Sequence, residues 1–485
     1  MKIVLLNLPN PPGCGIYREY AGGFGISFKI ASRHNGETAF PIYLLYAASA
    51  AMKCGCEFEI LDAQINKQSL LEVVEAIKSS QPDIVISWLS LPYLYHDMQV
   101  LNNIKKENPR VFVITLGVVC NLLPTEILQN SSIDLIIKGT NPYYNLIVDL
   151  INRLQDSRQN VEKLHDQVGG AIYVKDGKVI QSTKLPCTED IKDLLLDTYY
   201  HFPVNKYLQN IRDNKGILVK YFPILTSVGC PHDCIYCPFP VGYGNKVITK
   251  PINQIVDEVQ YLNTNFNLDT FFFRAQVFTI NRKRVLQLCD EIINRNLHIK
   301  WFVEARVDEV SKEILTKMKE AGCFRVHFGV ETGSSELLKE IGKPGTLANS
   351  VVNTFHICNE LGLSTTANMI IGLPGENMQT LKNSYNFLRR INPDNISFNM
   401  LTPYPGTKLF EVANKMGLIP TYEWSKYTHY DAVMGSGQLS ASQLERARKQ
   451  METKLYYYKL FKDTVYLGQP IRHMGKKFIQ RFIKP

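Results

Sequence analysis

The chain has 485 residues, more than one hydrophobic core usually serves, so two or three domains are expected. Hydrophobic residues make up 45% and charged residues 20%, the balance of a folded chain rather than a disordered one. A net charge of +9 with no long Lys/Arg block excludes an acidic solvating chain and gives no reason to expect nucleic acid as a partner.

The amino terminus, Met1 to Leu8, is too short an apolar run for a signal segment and ends at Pro9, so it reads as a buried strand. No stretch approaches the roughly 20 apolar residues of a membrane span. A cytoplasmic location is expected, with the eleven cysteines reduced. Strands are then expected at Phe58–Leu61, Ile84–Ser87, Val111–Leu116 and Leu135–Ile137, and helices at Ile42–Met52, Leu70–Ser79 and Val100–Lys106. Short apolar strands between helices predict an α/β domain with a doubly wound, Rossmann-like parallel sheet over residues 1–155. Ligands of such sheets bind beyond the carboxyl ends of the strands. The loops at Pro9–Gly25, Asp62, Ser87, Gly117 and Gly139 are therefore candidates. Residues 156–221 read as a linker holding a hairpin, because Asp176-Gly177 sits between apolar runs.

From residue 222 to 418, strands at Ile224–Val228, Thr270–Phe273, Ile299–Val303, Arg325–Gly329, Thr366–Ile371 and Asn395–Met400 alternate with helices such as Ile252–Asn263 and Ser311–Ala321. Six such repeats predict a partial (β/α)6 barrel, with its chemistry at the C-terminal ends of the strands. Residues 419–485 read as a helical C-terminal extension. Its basic end, from Arg472 to Lys484, fits a solvated helix or contact with an anionic membrane surface equally well.

After the first barrel strand comes Gly229-Cys230-Pro231-His232-Asp233-Cys234-Ile235-Tyr236-Cys237-Pro238-Phe239, a C-x3-C-x2-C spacing. Three thiolates on one loop can hold an iron–sulfur cluster and leave one iron open to a small molecule. The alternative is zinc, with His232 as fourth ligand. Glu304 and Arg306 fall on one side of the third strand by its two-residue period.

This loop, with the aromatic Tyr236 just before its last cysteine, resembles the signature of the radical S-adenosylmethionine (SAM) superfamily. The resemblance implies a 4Fe–4S cluster on Cys230, Cys234 and Cys237, and SAM bound near Tyr236, Phe239, Glu304, Arg306, Glu331, Gly372, Pro374 and Gly375. His327-Phe328-Gly329-Val330-Glu331-Thr332-Gly333 and Ile371-Gly372-Leu373-Pro374-Gly375 are similar to further segments of that superfamily. Members often carry Phe-Arg-Asp after the second strand, where this chain has Phe273-Arg274-Ala275-Gln276, so Gln276 takes that role or the contact differs.

The first domain resembles the cobalamin-binding-like domain of the class B methyltransferase branch, which implies cobalamin near Asp62, Ser87, Gly117 and Gly139. Two departures oppose it: Val118 where a second glycine is usual, and Gly139-Thr140-Asn141-Pro142 in place of Gly-Glu-Gly-Glu. The expected function is radical modification of a small molecule (a natural product, lipid or tetrapyrrole) by cobalamin-dependent methyl transfer. The alternatives are a cobalamin-free dehydratase, epimerase or oxidative cyclase, or a non-enzymatic iron–sulfur or cobalamin sensor. A reductant such as flavodoxin or ferredoxin is implied as partner.

Overall fold

A computed structural model describes residues 1–30, 38–156, 167–186, 191–343 and 348–462. The expected basic membrane-contact segment beyond residue 462 lies outside them.

The first domain begins with β1 (Lys2–Asn7), followed by a hairpin of β2 (Cys14–Tyr17) and β3 (Ile26–Lys29). Then come β4 (Glu57–Asp62), β5 (Ile84–Trp88), β6 (Phe112–Leu116) and β7 (Leu135–Ile137). The sheet order is β4-β1-β5-β6-β7, with all neighbours parallel, as the alternation predicted. Helix Ile42–Lys53 is buried on almost every side, consistent with its run of alanines and leucines between two layers.

The hairpin expected within a linker belongs instead to this sheet. Its strands β8 (Ala171–Lys175) and β9 (Lys178–Gln181) extend the sheet antiparallel from β7. The stretch that follows is a packed joint. Tyr199, Phe202 and Tyr207 surround Phe40, with ring centroids 5.2–6.0 Å apart, and Phe222 of the barrel lies 4.6 Å from the same ring.

The second sheet runs β10 (Gln209–Arg212), β11 (Leu218–Leu225), β14 (Thr270–Arg274), β15 (Lys300–Arg306), β16 (Cys323–Glu331), β17 (Ser364–Ile371) and β18 (Asn395–Met400). β10 is an unpredicted antiparallel edge; the other six are parallel and form the expected partial barrel. A short pair, β12 (Ser227–Val228) with β13 (Ile248–Thr249), clamps both ends of the cysteine loop. The barrel floor is filled by Phe272, Phe302 and Phe324. Phe272 and Phe302 stack at 4.6 Å. The extension forms helix Ala441–Lys462. Among the described residues no helix is long and apolar enough to cross a membrane.

The β2–β3 hairpin sits over the carboxyl ends of β1 and β5, where the strand order reverses. Arg18 Nη2 donates to the Leu8 carbonyl (3.4 Å) and Nη1 to the Trp88 carbonyl (3.3 Å). The guanidinium also makes a two-pronged pair with Asp97 (2.7 and 2.9 Å), and both side chains are buried. Removing one member of such a pair leaves an uncompensated buried charge, worth about 3–5 kcal/mol. Arg18→Met should therefore lower unfolding stability by about that amount in denaturant titration, and Arg18→Met combined with Asp97→Leu should recover most of it.

Candidate active site

Gly229 begins the cysteine loop at φ 87°, and a Cβ there would come within 2.0 Å of the Lys246 carbonyl, so only glycine allows the turn. The Ile235 amide donates to the Ile341 carbonyl and the Leu409 amide to the Ile235 carbonyl, which fixes the loop's far side. Helix Phe239–Tyr243 then carries the chain against the first domain. There Gly22 and Gly242 meet so closely that a Cβ on Gly242 would lie 1.6 Å from the Gly22 carbonyl.

A cavity of about 620 Å³ opens at this place, between the barrel strands and the hairpin. Its lining brings together Cys230, Cys234, Cys237, Tyr236, Phe239, Glu304, Arg306 and Glu331. Arg306 bonds Asp308 at 2.7 and 3.0 Å. Glu331 bonds Lys343 at 2.7 Å and sits at φ 64°, a left-handed conformation rare for a glutamate. Such strain collects at functional sites when the surroundings enforce it. Here the enforcing contacts are the register shift between β16 and β17 and the Lys343 ammonium, which also donates to the Gly329 carbonyl.

The Gly372–Gly375 turn does not reach this cavity. Gly372 packs near Leu444 and Leu401, the Gly375 amide donates to the Ser436 carbonyl, and Glu376 caps the Gly372 amide. Gly372 and Gly375, implied to lie beside SAM, thus contact Leu444 and Ser436 of the C-terminal extension.

The Phe-Arg-Ala departure has a partner. Arg274 pairs with Glu19 of the hairpin at 2.8 Å and lies 5.0 Å over the Tyr20 ring. Burial alone would lower the Arg274 pKa; the Glu19 carboxylate, together with Tyr243, Tyr20 and Glu304, outweighs this and raises it. Burial raises the pKa of Glu304, with Arg274 opposing. Tyr17 and Tyr20, from the candidate loop Pro9–Gly25 of the first domain, form a wall of this cavity, a placement across domains that local pattern does not give. His327, Thr366 and Asn368 also line the cavity; the two-residue period of β16 and β17 was their signal.

The three cysteines are free thiols. Among the described residues no three His, Cys, Asp or Glu side chains converge closely enough for one metal ion, and His232 is tied to Glu309 at 2.8 Å. Thiolates spread around a shared cavity fit a cluster of several irons, which spans more than one ion.

The four residues expected to hold cobalamin are spent inside the first domain. Asp62 accepts from Asn7 (2.9 Å), Tyr207 (2.6 Å) and the Gln64 and Ile65 amides. Ser87 is fully buried and donates to the Leu6 carbonyl. A Cβ on Gly117 would meet the Leu89 carbonyl at 3.0 Å, and one on Gly139 would meet Leu146 at 2.7 Å. Arg18 occupies the switch point itself, and Val118 and Val119 are fully buried in a cluster that includes Leu401 and Tyr404 of the barrel. These four positions are thus tied into the hydrogen bonds and packing of the first domain itself.

Residues 224–388 match the radical SAM superfamily. That stretch of the chain is a radical SAM domain. An uncharacterised methyltransferase of Pyrococcus horikoshii is 26% identical over 87% of this chain and 88% of its own length. An anaerobic magnesium-protoporphyrin IX monomethyl ester cyclase of Rubrivivax gelatinosus is 26% identical over 83% of this chain and 71% of its own. The radical SAM methyltransferase TsrM of Kitasatospora setae, solved with cobalamin and a [4Fe-4S] cluster, aligns with a TM-score of 0.66 at 16% identity, covering 87% of this chain and 76% of TsrM. The cobalamin-dependent radical enzyme OxsB, solved with aqua-cobalamin and SAM, aligns at 0.68 and 17% identity, covering 92% of this chain and 65% of OxsB. With these two structures the likeness is one of fold.

Burial raises the Glu376 carboxyl to about 7, against amide hydrogen bonds from Gly372 and Leu373 that lower it. A carboxyl raised on folding holds its proton longer in the native state, so its stabilisation is lost as pH rises from the usual carboxylate range through about 7. Glu376→Gln should lose less melting temperature than the parent between pH 5 and pH 8 in thermal scans.

Proposed function

We propose that the chain uses a [4Fe–4S] cluster on Cys230, Cys234 and Cys237 to cleave SAM and start radical chemistry on a small molecule held in the same cavity. The observation that carries this reading is that the three free thiols line one cavity at the barrel mouth with Tyr236, Arg306 and Glu331. A cluster bound there supplies the electron that breaks the sulfonium of SAM and yields a 5′-deoxyadenosyl radical. The protein's own residues do the positioning. Arg306, steadied by Asp308, presents its guanidinium to the methionyl carboxylate. Glu331, held by Lys343, presents a carboxylate to the methionyl ammonium. Glu304, on the same strand face as Arg306, serves the ribose hydroxyls. Tyr17, Tyr20 and Phe239 wall the cavity and limit water at the radical. A small redox protein such as flavodoxin or ferredoxin is the proposed electron donor.

Methyl transfer is the reaction class we propose. The Pyrococcus relative is named a methyltransferase, and the fold is shared with TsrM and OxsB, whose structures carry cobalamin. One observation favours a second reading, hydrogen abstraction leading to dehydration, epimerisation or oxidative cyclisation without a corrinoid. Arg18 and Asp97 close the crevice of the first domain, so methyl transfer through cobalamin there requires the hairpin to open.

Alanine at any one of Cys230, Cys234 and Cys237 should abolish the iron–sulfur charge-transfer absorbance and all SAM cleavage after anaerobic reconstitution. His232→Ala should keep the iron. SAM cleavage by the triple variant would overturn the cluster assignment. Protein produced with hydroxocobalamin separates the two reaction classes. About one equivalent of corrin absorbance and a product heavier by one methylene supports methyl transfer. Corrin-free turnover with 5′-deoxyadenosine formed in step supports the second reading.

A further inference from the structure

The charged groups of the cavity are largely matched among themselves. Arg274 is paired with Glu19, Arg306 with Asp308 and Lys343 with Glu331, at 2.7–2.8 Å. Deeper in the barrel, the strand register sets Glu304, His327 and Thr366 side by side on β15, β16 and β17. The His327 ring stacks on Phe302 at 5.4 Å, above the aromatic floor. Its Nε2 is closed to solvent and has no hydrogen-bond partner, and the Thr366 hydroxyl is in the same condition. So are Gln276 Oε1 and the Tyr404 hydroxyl. All four residues line the cavity, and Thr366 and Tyr404 are only 6% and 1% exposed. Buried polar atoms are nearly always paired, so four unpaired ones on residues that line one cavity point to a ligand there.

We propose that His327 and Thr366, with Gln276 and Tyr404, form the recognition layer for an uncharged hydrogen-bonding group of the substrate, such as an amide, hydroxyl or ketone. The substrate is neutral at the end that enters the barrel. This rests on the reading that SAM is cleaved in the same cavity. Burial, helped by the positive charge of Arg325, pushes His327 down to about 3, so it offers one donor and one acceptor rather than a cation. Burial likewise pushes His429 down to about 4. A carboxylate or phosphate beside His327 would lie next to Glu304, with Arg274 already matched by Glu19, and a buried unpaired charge costs far more than a neutral polar group. The aromatic walls of Tyr17, Tyr20, Phe239 and Phe272 suit an apolar body behind that neutral end.

The test uses the reconstituted full chain with SAM and dithionite, and small-molecule extract of the producing cells split by ion exchange into neutral, anionic and cationic fractions. The readout is 5′-deoxyadenosine formation with each fraction divided by that without it. The neutral fraction should raise this ratio. His327→Leu with Thr366→Val should cut the stimulation at least tenfold, and His327→Gln, which keeps a donor and an acceptor, should retain more of it. Stimulation confined to a charged fraction, no stimulation by the neutral one, or stimulation unaffected by the double substitution would overturn the assignment. A parent protein that forms no 5′-deoxyadenosine in any condition would instead sink the SAM-cleavage reading on which it rests.

Discussion

Two adjacent side chains, Arg18 and Glu19, join the halves of this molecule through buried ion pairs that point opposite ways. Arg18 faces into the first domain and pairs with Asp97 over the ends of β1 and β5. Glu19 faces the barrel and pairs with Arg274 at the end of β14. A buried pair stabilises only when its hydrogen bonds are complete. Both carboxylates are well supplied, since Asp97 also accepts from the Ser90 amide and hydroxyl and Glu19 from the Tyr43 amide, while Arg18 Nε is left without a partner. The hairpin between the domains is thereby fixed, and with it one wall of the cavity.

The opposite wall depends on backbone constraints. Gly229 turns where a side chain would strike the Lys246 carbonyl, and Glu331 adopts a conformation that Lys343 and the register shift impose. Cofactor chemistry of this kind needs a charged ligand held at one end while a radical forms at the other, so rigidity at the barrel mouth is where strain is useful. The floor is the reverse, built of stacked phenylalanines with a few unsatisfied polar atoms above them. The paired charges of Arg306 and Lys343 share the cavity with the cysteines, while His327 and Thr366 bring unpaired neutral groups beside Glu304, so two ligands of different character can share one cavity.

The first domain shows how a fold can persist while its usual site changes. The parallel sheet and its order are intact, yet the crevice at the switch point is filled by the chain's own arginine and valines. Fold and function are separable because the sheet is stabilised by its buried faces, whereas ligands meet only the loop ends.

Much of this was legible in the sequence. Short continuous apolar runs between helices placed the parallel strands of both sheets, and β18 falls at Asn395–Met400 as read, because local patterning decides strand and helix. The C-x3-C-x2-C spacing named the cysteines that gather at one cavity, since ligands on one short loop need no tertiary information. Glu304 and Arg306 share a strand face for the same local reason. What the chain could not reveal by itself were contacts between residues far apart in sequence: Glu19 with Arg274, Arg18 with Asp97, Tyr207 with Asp62, and the β8–β9 hairpin on the edge of the first sheet. The glycine turn at Gly372 looked like a cofactor contact and proved to be packed by Ser436 and Leu444. Motif and periodicity determine what a segment is; only tertiary packing decides what it faces, because burial and pairing depend on partners that no local pattern encodes.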